Sequence, residues 1–309
     1  MNEPLVIGTR GSGLALWQAR QVESLLPVPS RIEIIRTSGD RFLDVPLQGR
    51  MEKGFFTKEI EDALLEGRID LAVHSLKDLP VEMPPGLALG ACLTRGPAPD
   101  LLLVNPSWSD ETRTLPLKEG CLVGATSLRR QALLKLFDPA AKPDMLRGNV
   151  PTRVEKLKSG QYGAIVLAEA GVHRLELDLC DLMVYRLDPE WWLPAPGQAV
   201  VAVQVRQDDP RVSPVLPSLH HGPSAREMEL ERTALRNFGG GCHTAFGARA
   251  RQEGGAWRLD LGLDDAGAWL RASFRGGFDE LLRVGPDNIS DFNVLTVDEG
   301  MKPWQRLSR

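Results

Sequence analysis

Short apolar runs alternate with amphipathic stretches along the first two thirds of the chain. Residues 5–7, 32–35 and 69–73 each read as a strand, the last with the buried apolar run Leu71-Ala72-Val73. Between them, LALWQARQVESLL puts Leu14, Trp17, Val22 and Leu25 on one helical face, with Ser12 as its cap. FFTKEIEDALLEG predicts a second helix, closed by Gly67. Residues 38–54 have scattered glycines, Pro46 and no period, and read as a mobile loop or lid. After TRGPAP at 94–99 a second series begins. It comprises a strand at 121–124, the helix SLRRQALLKLF capped by Ser127 or Thr126, the helix PTRVEKLKSG and a strand at 164–167. Leu133, Leu136 and Phe137 are expected to face inward. Such alternation predicts mostly parallel sheets. LPAPGQAVVAVQV then reads as a strand that returns the chain to the first lobe. Residues 208–223 read as a linker with solvated His220 and His221, and Ser224 and Glu227 as a capping box on the next helix. The segments TAFGARA, WRLDLGL and AWLRASF are strand-like; beyond Phe278 the pattern fades.

The expected fold is α/β. Two αβ lobes are joined by a double crossover, residues 1–93 with 194–211 and residues 94–193. A smaller α+β domain covers 212–309.

Composition narrows the function. The 309 residues are 42% hydrophobic and 25% charged, a balance able to bury real cores. A net charge of −4 implies no general affinity for nucleic acid, so any basic site must be local. MNEPLVIGTR does not resemble a signal peptide and no apolar run could span a bilayer, so a cytoplasmic protein without membrane attachment is expected. Cys92, Cys121, Cys180 and Cys242 form no CxxC pair; no metal site is expected, and a reducing compartment fits. No interface stripe stands out, so a monomer is expected.

Chemistry gathers where apolar runs stop, and in open α/β sheets ligands bind beyond the carboxyl ends of strands. DLAVHSLKDLP puts His74, Ser75, Lys77 and Asp78 at such an end. Asp78 and Lys77 could equally be ordinary turn residues. The glycine-rich turn at 8–13, with Arg10 and Ser12, enters a helix and favours anions. Arg129, Arg130, Arg147 and Arg153 follow successive strand ends. Any one of them could be a solvated surface charge, but together they point to an anion-binding cleft, since arginine forks match carboxylates. Gly239, Gly240 and Gly241 flank Cys242 and leave its sulfur uncovered, although a free cysteine is more often a small buried hydrophobe.

Taken in order, TRGSGLALWQA, HSLKDLPVE, GATSLRRQ, LRGNVPTR, LPAPGQ and GGGC resemble the porphobilinogen deaminase family. The resemblance covers roughly residues 5 to 250, by motif order. The chain departs from the family pattern at Met51 and Glu52, at Ala199 where glycine is usual, and in the tail. The resemblance implies two periplasmic-binding-protein-like lobes and a hydroxymethylbilane synthase. Such an enzyme joins four porphobilinogen units head to tail, with loss of ammonia at each step. It implies a dipyrromethane cofactor held covalently by Cys242, and Asp78 as the catalytic carboxylate, buried beside the pyrrole N–H. Lys77, Asp78, Thr126, Ser127, Arg129, Arg130 and Gly148 are then expected to hold the cofactor. Arg10, Ser12, Arg130, Arg147 and Arg153 are expected to hold substrate, with Arg174 and Gln198 as weaker candidates. Arg129 and Arg130, adjacent on one helix, are expected to point apart. The competing reading is a non-catalytic solute-binding protein for small carboxylates, which leaves Asp78 and the GGGC loop without a task. A regulatory effector-binding domain is a third reading, and it lacks a DNA-binding helix pair.

Overall fold

The structure, a computed structural model, describes residues 3–38, 57–241, 244–298 and 300–307. Residues 39–54 of the expected lid and Cys242 therefore lie outside the described residues. In chain order the elements are β1 (Leu5–Thr9), α1 (Gly13–Leu25), β2 (Ser30–Ile34), α2 (Lys58–Leu65), β3 (Leu71–Ser75), β4 (Leu87–Cys92) and β5 (Asp100–Val104). They continue with β6 (Leu122–Gly124), α3 (Leu128–Phe137), β7 (Lys142–Asp144), α4 (Val150–Lys158), β8 (Ala164–Ala168), α5 (Glu169–Arg174), β9 (Met183–Leu187) and β10 (Val201–Arg206). The last are α6 (Gly222–Asn237), β11 (Phe246–Glu253), β12 (Ala256–Asp265), β13 (Ala268–Gly276), β14 (Asn293–Val294) and β15 (Trp304–Arg306).

The chain divides into two compact units, Met1–Gly96 with Gly197–Arg226 and Pro97–Pro196 with Glu227–Arg309. In the first, the sheet order is β2-β1-β3-β10-β4. Ile7, Leu71, Val73 and Val203 from three neighbouring strands are at most 2% exposed and form its centre. The second unit holds a six-stranded sheet, β15-β9-β5-β8-β6-β7, and an antiparallel four-stranded sheet, β11-β12-β13-β14. Trp269 of β13 joins Trp192, Tyr185 and Phe137 in one core, so the C-terminal sheet shares its apolar interior with the αβ sheet. The tail also ends in structure. β15 pairs with β9, and the Trp304 indole N–H donates to the Thr114 carbonyl at 2.8 Å.

Four expectations need correction. The αβ sheets are mixed, not mostly parallel: β10 runs antiparallel to β3 and β4, and β5 to β8 and β9. These are the first strands after each passage of the chain from one unit to the other. Residues 208–223 are no linker. Val212, Val215 and Leu219 are buried in the first unit's core, and their i, i+3, i+7 spacing is that of a helical face. Ser224 does not open α6 as a capping box; its hydroxyl accepts from the Arg95 N–H, and the His221 ring nitrogen takes the Ser224 N–H instead. Ser127 holds the cap position of α3, but neither it nor Thr126 caps through a hydroxyl: Thr126 donates to the Leu146 carbonyl at 2.5 Å.

Candidate active site

In the first unit, two strand ends carry the predicted residues. β1 ends at Thr9, and Arg10 and Ser12 form the turn into α1; the Ser12 hydroxyl accepts from the Ala15 N–H at 3.3 Å. Gln18 of α1 donates to the Ser75 hydroxyl at 2.8 Å and so fastens this helix to the end of β3. β3 then passes into a single 3₁₀ turn, Leu76–Asp78. The returning segment backs that turn. Leu76 N–H donates to the Val200 carbonyl at 3.0 Å, and the Lys77 ammonium reaches the Gln198 side-chain carbonyl at 3.4 Å. Gly197, at φ +76°, lies so close that a β-carbon there would meet Leu76 at 3.0 Å. Gln198 is fully buried, and its backbone carbonyl accepts from Arg95 Nε at 3.1 Å. The Asp78 carboxylate, by contrast, is exposed. The expectation of a burial supplied by the protein is corrected: a strand-end turn projects this side chain into solvent.

His74, four residues earlier, is buried and hydrogen-bonded to Gln204 at 3.1 Å. Desolvation pulls its pKa down to about 4, against the raising effect of that hydrogen bond, and the nearby Arg10 charge lowers it further. It is neutral at physiological pH. Gln204 in turn donates to Glu61 at 3.0 Å, so a polar chain runs under the turn.

In the second unit, the ends of β6 and β7 carry the arginines. Arg129 and Arg130 are 2% and 7% exposed. They do not diverge as expected, because one buried carboxylate draws both. Asp100, at the start of β5, accepts from Arg129 Nη2 at 2.8 Å and from Arg130 Nε and Nη2 at 3.1 and 2.7 Å. The Trp192 indole donates to the same group at 3.0 Å. Burial alone would raise the Asp100 pKa, but the guanidiniums of Arg130 and Arg129 outweigh it and hold it well below the usual carboxylate range. Two cations and one anion leave the cluster a net positive charge. Arg129 Nε is buried and has no hydrogen-bond partner among the described residues.

The turn after β7 is tight at Gly148. Gly148 adopts φ +107°, where a β-carbon would meet Thr152 at 2.9 Å. Its carbonyl accepts from Arg153 Nε at 2.7 Å, and the Arg147 carbonyl from Lys156 at 3.1 Å. Asn149 caps α4 by accepting from Thr152 N–H at 3.0 Å. Arg147 and Arg153 are both half-buried.

The predicted residues thus fall into two groups, Arg10, Ser12, Lys77 and Asp78 in one unit and Thr126, Ser127, Arg129, Arg130, Arg147, Gly148 and Arg153 in the other. Of the two weaker candidates, Gln198 contacts the first group. Arg174 ends α5, where burial lowers its pKa. Asp100 and Trp192 went unpredicted. The one sequence signal was a carboxylate heading the apolar run DLLLV, where a buried charge requires a partner.

The family model described as "Porphobilinogen deaminase, dipyromethane cofactor binding domain" matches residues 5–214. The porphobilinogen deaminase of Syntrophomonas wolfei is 44% identical over 256 residues, covering 81% of this chain and 82% of that one. The probable porphobilinogen deaminase of Methanocaldococcus jannaschii is 45% identical over 249 residues, 79% of this chain and 82% of that one. The Methylobacillus flagellatus porphobilinogen deaminase is 39% identical over 307 residues, 96% of this chain and 97% of that one.

Proposed function

The chain belongs to the porphobilinogen deaminase family, and from that premise we propose which of its residues hold and elongate the pyrrole chain. The enzyme is a hydroxymethylbilane synthase of tetrapyrrole biosynthesis, a transferase that condenses four porphobilinogen molecules with release of ammonia and hydrolyses off the linear product. The matched domain is one that binds the dipyrromethane cofactor. Each pyrrole carries an acetate and a propionate, so a cofactor of linked pyrroles is a polyanion. The residues present suit it. Arg129 and Arg130 keep a net positive charge after pairing with Asp100, and Arg129 Nε is a buried donor still unmatched among the described residues. Lys77, Thr126, Ser127 and Gly148 complete the proposed holding set, and Cys242 is the proposed covalent anchor. When bound, the group supplies the nucleophilic pyrrole carbon to which substrate is added.

Arg10, Ser12, Arg147 and Arg153, with Arg130, take the carboxylates of incoming porphobilinogen as charge-assisted pairs. Asp78 accepts the pyrrole N–H and offsets the positive charge that spreads onto that nitrogen as ammonia leaves. It also manages proton transfer, at ammonia loss and at loss of the ring α-proton. The exposed carboxylate of Asp78 at the end of β3, on a turn pinned from behind by Val200 and Gln198, is the observation that carries this reading. Because the carboxylate is exposed, the low-dielectric surroundings that strengthen such stabilisation come from the bound rings. We further propose a cytoplasmic monomer that binds no nucleic acid; among the described residues no helix is long and apolar enough to cross a membrane. The intact mass of the purified chain tests the anchor. A two-pyrrole adduct is expected on the wild type and none on Cys242→Ser. An unmodified wild type that binds carboxylates without turnover supports the solute-binding alternative.

A further inference from the structure

We propose that Asp100 is a positioning residue for the reaction: it sets the aim of Arg129 and Arg130 and, through Trp192 and Leu193, the strand that follows the cysteine loop. This inference rests on the reading that the two arginines hold pyrrole carboxylates.

An arginine side chain has four rotatable bonds, and ordering two adjacent ones on a ligand costs entropy unless they are ordered beforehand. Asp100 does that ordering. Its two oxygens take Nε and Nη2 of Arg130 as a fork, and one of them also takes Nη2 of Arg129. Side by side and buried, the two cations would repel. One interposed carboxylate relieves that repulsion and leaves a positive charge over for the ligand. Each guanidinium is then fixed at a further point, Arg130 Nη1 to the Val166 carbonyl at 3.1 Å and Arg129 Nη1 to the Leu193 carbonyl at 2.6 Å.

The second of these contacts leads outward. Trp192, fully buried, donates to Asp100, so residues 192 and 193 are held together from one side. From the other side, Ala248 of β11 donates to the Pro194 carbonyl at 3.0 Å, and Gly247 packs so tightly on Leu193 that a β-carbon would come within 2.8 Å. β11 begins at Phe246, four positions after Cys242. Asp100, Arg129, Leu193 and β11 therefore form one continuous bonded path from the arginine pair to the strand nearest in sequence to the anchor. Fully buried at the head of β5, the Asp100 carboxylate registers the carboxylate-holding groups against β11.

The experiment compares wild type, Asp100→Asn, Asp100→Glu and Trp192→Phe by intact mass, by KM and kcat for porphobilinogen, and by thermal midpoint. Asp100→Asn is expected to raise KM about tenfold or more, as removal of a charge-assisted anchor does, and to lower the fraction of chains carrying the adduct. Asp100→Glu should recover part of both, and Trp192→Phe, which removes one donor to Asp100 and leaves both arginine pairs, should raise KM about two- to threefold. Wild-type KM and full adduct in a folded Asp100→Asn chain overturn the inference. So does a Leu134→Ala control that matches its thermal midpoint and its KM, because stability alone then explains the loss. If Asp100→Asn does not fold, unchanged KM in both Asp100→Glu and Trp192→Phe overturns it equally. An adduct missing from wild type, or present on Cys242→Ser, overturns the underlying reading and this inference with it.

Discussion

The strand ends of the two units handle charge in opposite ways. At the end of β3, Asp78 is exposed, and the turn that carries it is backed by a backbone bond from Leu76 to Val200 and by the Gln198 side-chain carbonyl taking the Lys77 ammonium. At the start of α3, Arg129 and Arg130 are almost fully buried and are held by a charge, Asp100. An exposed acid stays free to respond to charge that appears during a reaction. Supporting cations with an acid fixes them in advance, and suits groups whose task is to hold a ligand that is already charged. The same α/β rule places both groups at strand ends; burial and partner chemistry separate the proposed reacting group from the proposed holding groups.

The largest effect should come from the responsive side. Asp78→Asn keeps the shape and loses the charge. It is expected to lower kcat about 10²- to 10⁴-fold with little change in KM, the scale of one positioned acid–base or electrostatic group. Near-normal kcat in that variant would remove Asp78 from the chemistry. On the holding side the expected loss is stability. Arg130→Met leaves Asp100 with one cation in place of two, and is expected to cost about 3 kcal/mol or more by denaturant titration, as breaking a buried ion pair does. If it costs less than 1 kcal/mol, the region around Asp100 is wetter than its burial implies.

Legibility in sequence followed the same division. The strand-end positions of Asp78, Lys77, Arg129 and Arg147 could be read because apolar runs stop sharply before them, and glycine or proline marks the turns. The role of Asp100 could not. Its partners lie 29 and 30 positions away, and no local pattern reports a pairing of that range. The same holds for β15, three residues whose partner strand lies over a hundred positions upstream. Residues 208–223 misled for another reason. Their Pro, Ser, Asp and His content masked Val212, Val215 and Leu219, which pack into the core at helical spacing. Cys242, which its flanking glycines single out in the sequence, lies outside the described residues.

A pH titration sharpens the contrast. His74 is held at a pKa of about 4 in the folded first unit, against an ordinary value of 6.5 once unfolded. Between those values the unfolded chain binds the extra proton. Stability is therefore complete above about pH 6.5 and falls as pH drops toward 4, by about 3 kcal/mol at most. Asp100 is also held low, but its contribution is intact above about pH 4, the ordinary aspartate value, and is lost only in stronger acid. Denaturant midpoints at pH 7 and pH 4.5 should converge in His74→Gln relative to wild type. Equal pH dependence in the two proteins would mean that His74 is not desolvated.

The smallest effect concerns the segment that backs Asp78. Ala199 stands at φ +74°, in the left-handed region that favours glycine, and is 7% exposed. Replacing it with glycine relieves about 1–2 kcal/mol of backbone strain. The same change gives up about 0.8 kcal/mol of buried methyl and about 0.5–1 kcal/mol of chain entropy. The terms nearly cancel, so Ala199→Gly is expected to shift stability by less than about 0.5 kcal/mol. Ala202, three residues on, is fully buried in regular β10 and has no strain to relieve. Ala202→Gly should therefore cost about 1.5 kcal/mol. The difference between the two variants measures the strain held behind the Asp78 turn. If both lose the same amount, the left-handed geometry at 199 carries no strain, and the turn is held by hydrogen bonds alone.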